Sequence, residues 1–186
     1  VNSERAGSVH NNATCALDLN DCPVYNFSNQ RFNGGAGMEF DGVDDAVDAG
    51  SGSSVDNLSA FTMSAWIYPR RLVGDEFMVI AKGRGGNGVK QLVVGDWFGN
   101  SNNLIVFIDA VTTDAASVSD NDLMVVNSWQ HIVGTWAGAG NAPKLYRNGM
   151  EVNYSSQSAN VGTVVDDRAN NLVIGARDNT PPTYTL

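Results

Sequence analysis

The chain has 186 residues, 42% hydrophobic and 17% charged, with 11 Lys and Arg against 20 Asp and Glu, for a formal net charge of −9 and a pI near 4.4. One domain of this size buries a full apolar core without metal or disulfide staples. With no Lys/Arg run to displace counterions and no apolar stretch of ~18 residues, the composition excludes a nucleic-acid binder, an anionic-membrane binder and a bilayer-spanning helix.

Residues 1–35 hold no clear periodicity and read as an N-terminal arm or a substitute strand. Cys15 and Cys22 lie in this arm with no other Cys or His at zinc-site spacing. They are either a local disulfide or two free thiols. An acidic, Asn-rich, Lys-poor sequence points to an exported protein, extracellular or at the cell surface. From about residue 38 onward, short β-branched and apolar segments alternate with turn clusters, and nowhere does helical spacing persist. Strands are predicted at 38–40, 46–48, 61–68, 77–82, 89–94, 104–109, 115–119, 131–136, 144–147, 150–154 and 172–176. In Phe61–Tyr68 the alternation places Phe61, Met63, Ala65 and Ile67 on one face and Thr62, Ser64, Trp66 and Tyr68 on the other. A Trp and a Tyr on the second face mean that neither face is simply solvent. Similarly, His131, Val133 and Thr135 oppose Ile132 and Trp136. Asn148-Gly149 supplies two residues tolerant of positive φ and predicts a two-residue type I′ hairpin. Residues 155–171 read as a long polar loop with one short edge strand near Val161–Val165. About eleven short strands joined by turns predict an all-β fold with two antiparallel sheets packed as a sandwich.

Taken in order, the segments MEFDGVDDAVDAG, LSAFTMSAWIYP, FMVIAKG, LIVFIDA, SWQHIVGTWAG, KLYRNGMEV and LVIGARD resemble the laminin-G-like, concanavalin A-like lectin/glucanase jelly-roll family. The resemblance covers about residues 36–178 and rests on the order of seven segments. It implies an antiparallel two-sheet jelly roll occupying residues 36–186. It also implies that the usual C-terminal strand, of the type F-x-G-x-I-D-x-V-x-I-Y, is lacking, because the sequence reads NTPPTYTL there. An uncovered sheet edge follows, to be met by the arm or by a second copy as a homodimer.

For function the resemblance implies a non-catalytic, lectin-like module that binds a glycan or a glycosylated protein. The alternatives are an adhesion module without a sugar site and a polysaccharide lyase or glucanase of the same superfold. Trp97 and Phe98, with Asn100 and Asn102 in the loop GDWFGNSNN, are the sugar-binding candidates, since lectins stack sugar rings on exposed aromatics and hold hydroxyls with amides. Trp66, Trp129 and Trp136 fall in core-like segments and are expected to pack. Calcium is implied at a sandwich edge, with Asp41, Asp44, Asp45 and Asp178 as its oxygen donors. The E-x-D-x-x-E strand of the glucanases has only the partial counterpart Glu39-x-Asp41-x-x-Asp44, interrupted by Gly42. Gly83-Arg84-Gly85-Gly86-Asn87-Gly88 satisfies G-x-G-x-x-G formally, but a second strand follows in place of a helix, so it is a hairpin loop.

Overall fold

The computed structural model describes residues 24–26, 37–40, 45–72, 76–83, 88–95 and 102–176. Within them lie thirteen strands and no helix: β1 (Val24–Asn26), β2 (Gly37–Glu39), β3 (Val47–Asp48), β4 (Phe61–Ile67), β5 (Glu76–Lys82), β6 (Lys90–Gly95), β7 (Asn103–Ile108), β8 (Ala115–Ser119), β9 (Gln130–Trp136), β10 (Lys144–Arg147), β11 (Met150–Glu151), β12 (Tyr154–Ser158) and β13 (Leu172–Ile174). They form a seven-stranded sheet in the order β12-β8-β7-β6-β5-β13-β3, a four-stranded sheet in the order β11-β10-β9-β4, and a separate β1-β2 ladder. Every pairing is antiparallel. The all-β sandwich is therefore as expected.

The two large sheets meet through alternate residues. Leu92, Val94, Leu104, Val106 and Ile108 of the seven-stranded sheet pack with Ile132, Trp136 and Leu145 of the four-stranded one. Gly134 sits at the closest approach, where a Cβ would lie 2.2 Å from Val106 Cγ2 and 3.2 Å from Leu92 Cδ1. The residue is Gly because the facing sheet leaves no room for a side chain. Phe61 closes the core at its margin against Trp136, with ring centroids 5.8 Å apart. A second apolar cluster, Met78, Val93, Ile105 and Val118, forms a cross-strand row in which Met78 pairs with Val93, Val93 with Ile105 and Ile105 with Val118. These side chains point away from the interior core and are nonetheless buried. Burial on both faces explains why LVV and LIV read as continuous apolar runs rather than alternating ones.

The turn chemistry is direct. Arg147 pairs with Met150, leaving Asn148 (φ 51°) and Gly149 (φ 84°) as a two-residue loop with both φ positive, the predicted I′ hairpin. Asn148 Oδ1 also accepts the N–H of His131 at 2.9 Å, pinning the hairpin to β9.

Two elements differ from the sequence reading. β12 occupies Tyr154–Ser158, within the segment read mostly as loop, and pairs with β8. Its YSSQS sequence lacks apolar alternation because it is an edge strand held by polar bonds. Ser155 Oγ donates to Ser119 O at 2.8 Å, and Gln157 Nε2 donates to Pro143 O at 3.1 Å. Val161 and Val164 make only single bridges, to Thr113 and Ala110. β1, inside the arm, pairs with β2.

One phenol ties β12 to the hairpin. Tyr154 Oη accepts the N–H of Leu145 and donates to Glu151 Oε1, each at 3.0 Å. Burial, and then the Glu151 carboxylate, push its pKa up to about 12, against the pull of the Leu145 N–H. A folded value above the unfolded one near 10 means that this stabilisation is complete below pH 10 and is lost as pH rises toward 12. Tyr154→Phe is expected to flatten the loss of stability across that window, read by denaturation at pH 9 to 12 alongside tyrosinate absorbance.

At one end of the sandwich the loops are closed by charge. Lys82 and Lys90 are opposite partners on β5 and β6, and both are 2% exposed. Each has its own carboxylate. Lys82 Nζ donates to Asp56 Oδ1 at 2.8 Å and to Asn170 O at 2.9 Å, and Lys90 Nζ pairs with fully buried Asp167. Asn57 and Asp167 are bonded reciprocally: the Asn57 N–H donates to Asp167 Oδ1 at 2.7 Å, and the Asp167 N–H donates to Asn57 Oδ1 at 3.1 Å. Gly88 (φ 74°) donates its N–H to Asp109 Oδ2 at 3.0 Å, and a Cβ there would lie 2.5 Å from the Asp166 carbonyl. The cluster therefore clasps three loops to the β5–β6 hairpin. That hairpin is also what the glycine-rich segment was expected to be, since Lys82 pairs with Lys90 around it.

Candidate functional site

The sequence-level candidates fall mostly outside the described residues. Trp97, Phe98 and Asn100 lie outside them, as do Asp41, Asp44, Asp178, Cys15 and Cys22. Asn102 is described: it immediately precedes β7, and its carbonyl accepts the N–H of Met124 at 3.0 Å, which docks the β8–β9 connection beside it. Asp45 is 5% exposed, just ahead of β3 at the margin of the seven-stranded sheet. Among the described residues no three His, Cys, Asp or Glu side chains gather as a metal cage. One carboxylate is too few to define a calcium site. Glu39, the described member of the partial E-x-D-x-x-D pattern, is on β2 and ion-paired with Arg70.

The chemistry-bearing surface of the described residues is the outer face of the four-stranded sheet. The register of β4, β9 and β10 aligns it in rows: Trp66 opposite His131; Ser64 opposite Val133, which faces Tyr146 and then Glu151; and Thr62 opposite Thr135, which faces Lys144. Alternation puts all of these on the side away from Ile132, Gly134 and Trp136. Trp66 is 38% exposed and lies over the imidazole of His131, with ring centroids 5.0 Å apart and 34° between planes. Tyr68 meets Trp129 edge-on at 5.6 Å. These two aromatic pairs sit at one end of the face, while the hydroxyls of Thr62, Ser64 and Thr135 and the ion pair Lys144–Glu151 (3.3 Å) occupy the rest.

The packing expectation for the tryptophans thus divides. Trp136 is buried, with its indole N–H donating to Asn141 O at 3.0 Å, whereas Trp66 is exposed and Trp129 half-buried. The signal that distinguishes them is strand parity. Trp136 shares the inward face with Ile132, while Trp66 shares the outward face with Thr62 and Ser64.

An exposed antiparallel sheet face with aromatic rings and hydroxyls in register is a surface able to stack against an amphipathic ring and hydrogen-bond its substituents. It is carried by a jelly-roll sandwich of two antiparallel sheets. Residues 41–185 match the family described as the concanavalin A-like lectin/glucanases superfamily, and the chain belongs to it. A comparison with curated proteins found no match.

Proposed function

We propose that the chain is a non-catalytic carbohydrate-binding module of an extracellular or cell-surface protein, and that the outer face of the four-stranded sheet is its glycan platform. The observation that carries this reading is the exposed Trp66 ring, braced by His131 beside Tyr68–Trp129 and bordered by threonine and serine hydroxyls. A sugar presents apolar C–H faces to stack on indole and hydroxyls to pair with polar side chains. The non-catalytic part of the reading is supported by Glu39, whose carboxylate is engaged by Arg70, whereas glycoside hydrolysis requires two carboxyl groups at a set separation. A structural Ca²⁺ at the β3 margin belongs to the proposal as well, with Asp45 as its described carboxylate.

A glycan array probed with wild type and Trp66→Ala, with and without Ca²⁺, tests the proposal. Wild type is expected to bind a defined glycan set, and Trp66→Ala to lose about tenfold or more in affinity, as truncating an aromatic anchor does. The far-UV circular dichroism should stay unchanged, because the ring is outside the core. Silence of wild type across the array in both conditions contradicts the proposal.

A further inference from the structure

The strand register fixes where the rings of the outer face stand. Trp66 of β4 is opposite His131 of β9, and Tyr146 of β10 is opposite Val133, two positions further along β9. The two rings therefore flank β9 on opposite sides, one row apart. Adjacent strands lie about 4.8 Å apart and alternate residues of one strand about 6.8 Å, so the Cα atoms of Trp66 and Tyr146 are about 12 Å apart on a diagonal crossing β9 between His131 and Val133. Val133 is aliphatic and shorter than either ring, so the diagonal dips between them. The other two corners of this rectangle are polar and exposed. One is Ser64, opposite Val133, and the other is Asn148, whose N–H donates to His131 O at 2.8 Å.

The cations at the two ends of the face are engaged. Lys144 is 3.3 Å from Glu151, Arg70 is paired with Glu39, and Arg71 is engaged as well. Arg147, opposite Ile132, belongs to the inward side. The chain carries a net charge of −9, so its field repels a polyanion from a face with no cation to spare for it.

We infer that the platform takes an extended, uncharged glycan segment of about three sugars, its first ring on Trp66, its middle ring over Val133 and its third ring on Tyr146. This inference rests on the glycan reading above and gives it a footprint and a ligand class. In an extended chain with equatorial linkages, alternate sugars turn the same C–H face to one side, as two rings separated by one sugar require. Hydroxyls of the middle ring then reach Ser64 on one side and Asn148 on the other.

The test is a length ladder: β-1,4-linked oligomers of glucose, of N-acetylglucosamine and of mannose, from monosaccharide to hexasaccharide, each titrated calorimetrically beside a sulfated counterpart. For at least one ladder, affinity is expected to rise about tenfold or more from disaccharide to trisaccharide and then to level off, with the sulfated counterpart binding more weakly. Tyr146→Thr, which keeps a strand-compatible residue, should abolish the step so that disaccharide and trisaccharide bind alike, and Tyr146→Phe should restore it. Equal wild-type affinity for the two lengths, a step that survives Tyr146→Thr, or tighter binding of the sulfated ladder overturns the inference and leaves the platform standing. No binding by any ladder overturns the inference alone if the array has hits, and the platform with it if the array is silent.

Discussion

Asp167→Ala is expected to lower stability by about 3–5 kcal/mol, the cost of leaving one partner of a buried ion pair alone. Asp167 is fully buried and Lys90 is 2% exposed, so the ammonium of Lys90 keeps its desolvation cost when the carboxylate is removed. The effect is not confined to the pair. Asp167 Oδ1 accepts the Asn57 N–H, so the substitution also removes one of the bonds that tie the 50–57 loop to residues 166–171. Asp167→Asn separates the two contributions: it keeps an acceptor for Asn57 but leaves Lys90 without its counter-charge. It should therefore cost nearly as much as Asp167→Ala if charge dominates. Replacing the pair together, Lys90→Met with Asp167→Leu, should recover much of the loss, because a well-packed apolar pair avoids desolvation altogether. Urea denaturation of the four proteins checks this. A loss below ~1 kcal/mol for Asp167→Ala would mean that water reaches the pair and that the clasp contributes as little as a surface bridge.

The second large effect is at Gly134. Its missing Cβ would stand 2.2 Å from Val106 Cγ2, a distance that side chains cannot share, so Gly134→Val must push β9 away from the facing sheet or force rotamers off their minima. The expected cost is about 1–3 kcal/mol or more, although Val has the higher intrinsic preference for strands. Gly134→Ala should be milder, and combining it with Val106→Ala should return part of its cost, since the second change vacates the volume that the first one needs. A double-mutant cycle by thermal denaturation reads the coupling. Additive costs would contradict the close approach.

Both predictions involve residues that only the folded chain brings together, and this divides what the sequence made legible from what it did not. The strands with strict alternation, such as FTMSAWI and QHIVGTW, were legible because one face of each is in the core and the other is not. The Asn148-Gly149 hairpin was legible because its two positive φ angles demand those residue types. β12 was not, because an edge strand held by Ser155 and Gln157 through side-chain bonds carries no apolar pattern. Nor was the clasp, since Lys90 and Asp167 are separated by 77 positions and nothing local marks a lysine for burial. The platform was half-legible. Strand parity grouped Trp66 with Thr62 and Ser64, and His131 with Val133 and Thr135, but which of these faces points outward, and that the β4–β9 register sets the two rings opposite each other, only the fold shows. Expecting Trp66 to pack gave more weight to its segment's likeness to a core strand than to its parity with Thr62 and Ser64. Of the four sugar-binding candidates chosen from sequence, Asn102 alone is described, and it contributes its carbonyl to loop docking.

The tryptophan indole N–H resonances test the central claim most directly, since the chain has four tryptophans and each answers a different question. In a titration with an oligosaccharide selected on the array, the glycan platform predicts that the Trp66 and Trp129 signals shift together in a saturable manner, while that of buried Trp136 stays in place. Shifts confined to Trp97, or signals unmoved at saturating sugar, would contradict a glycan site on the four-stranded sheet.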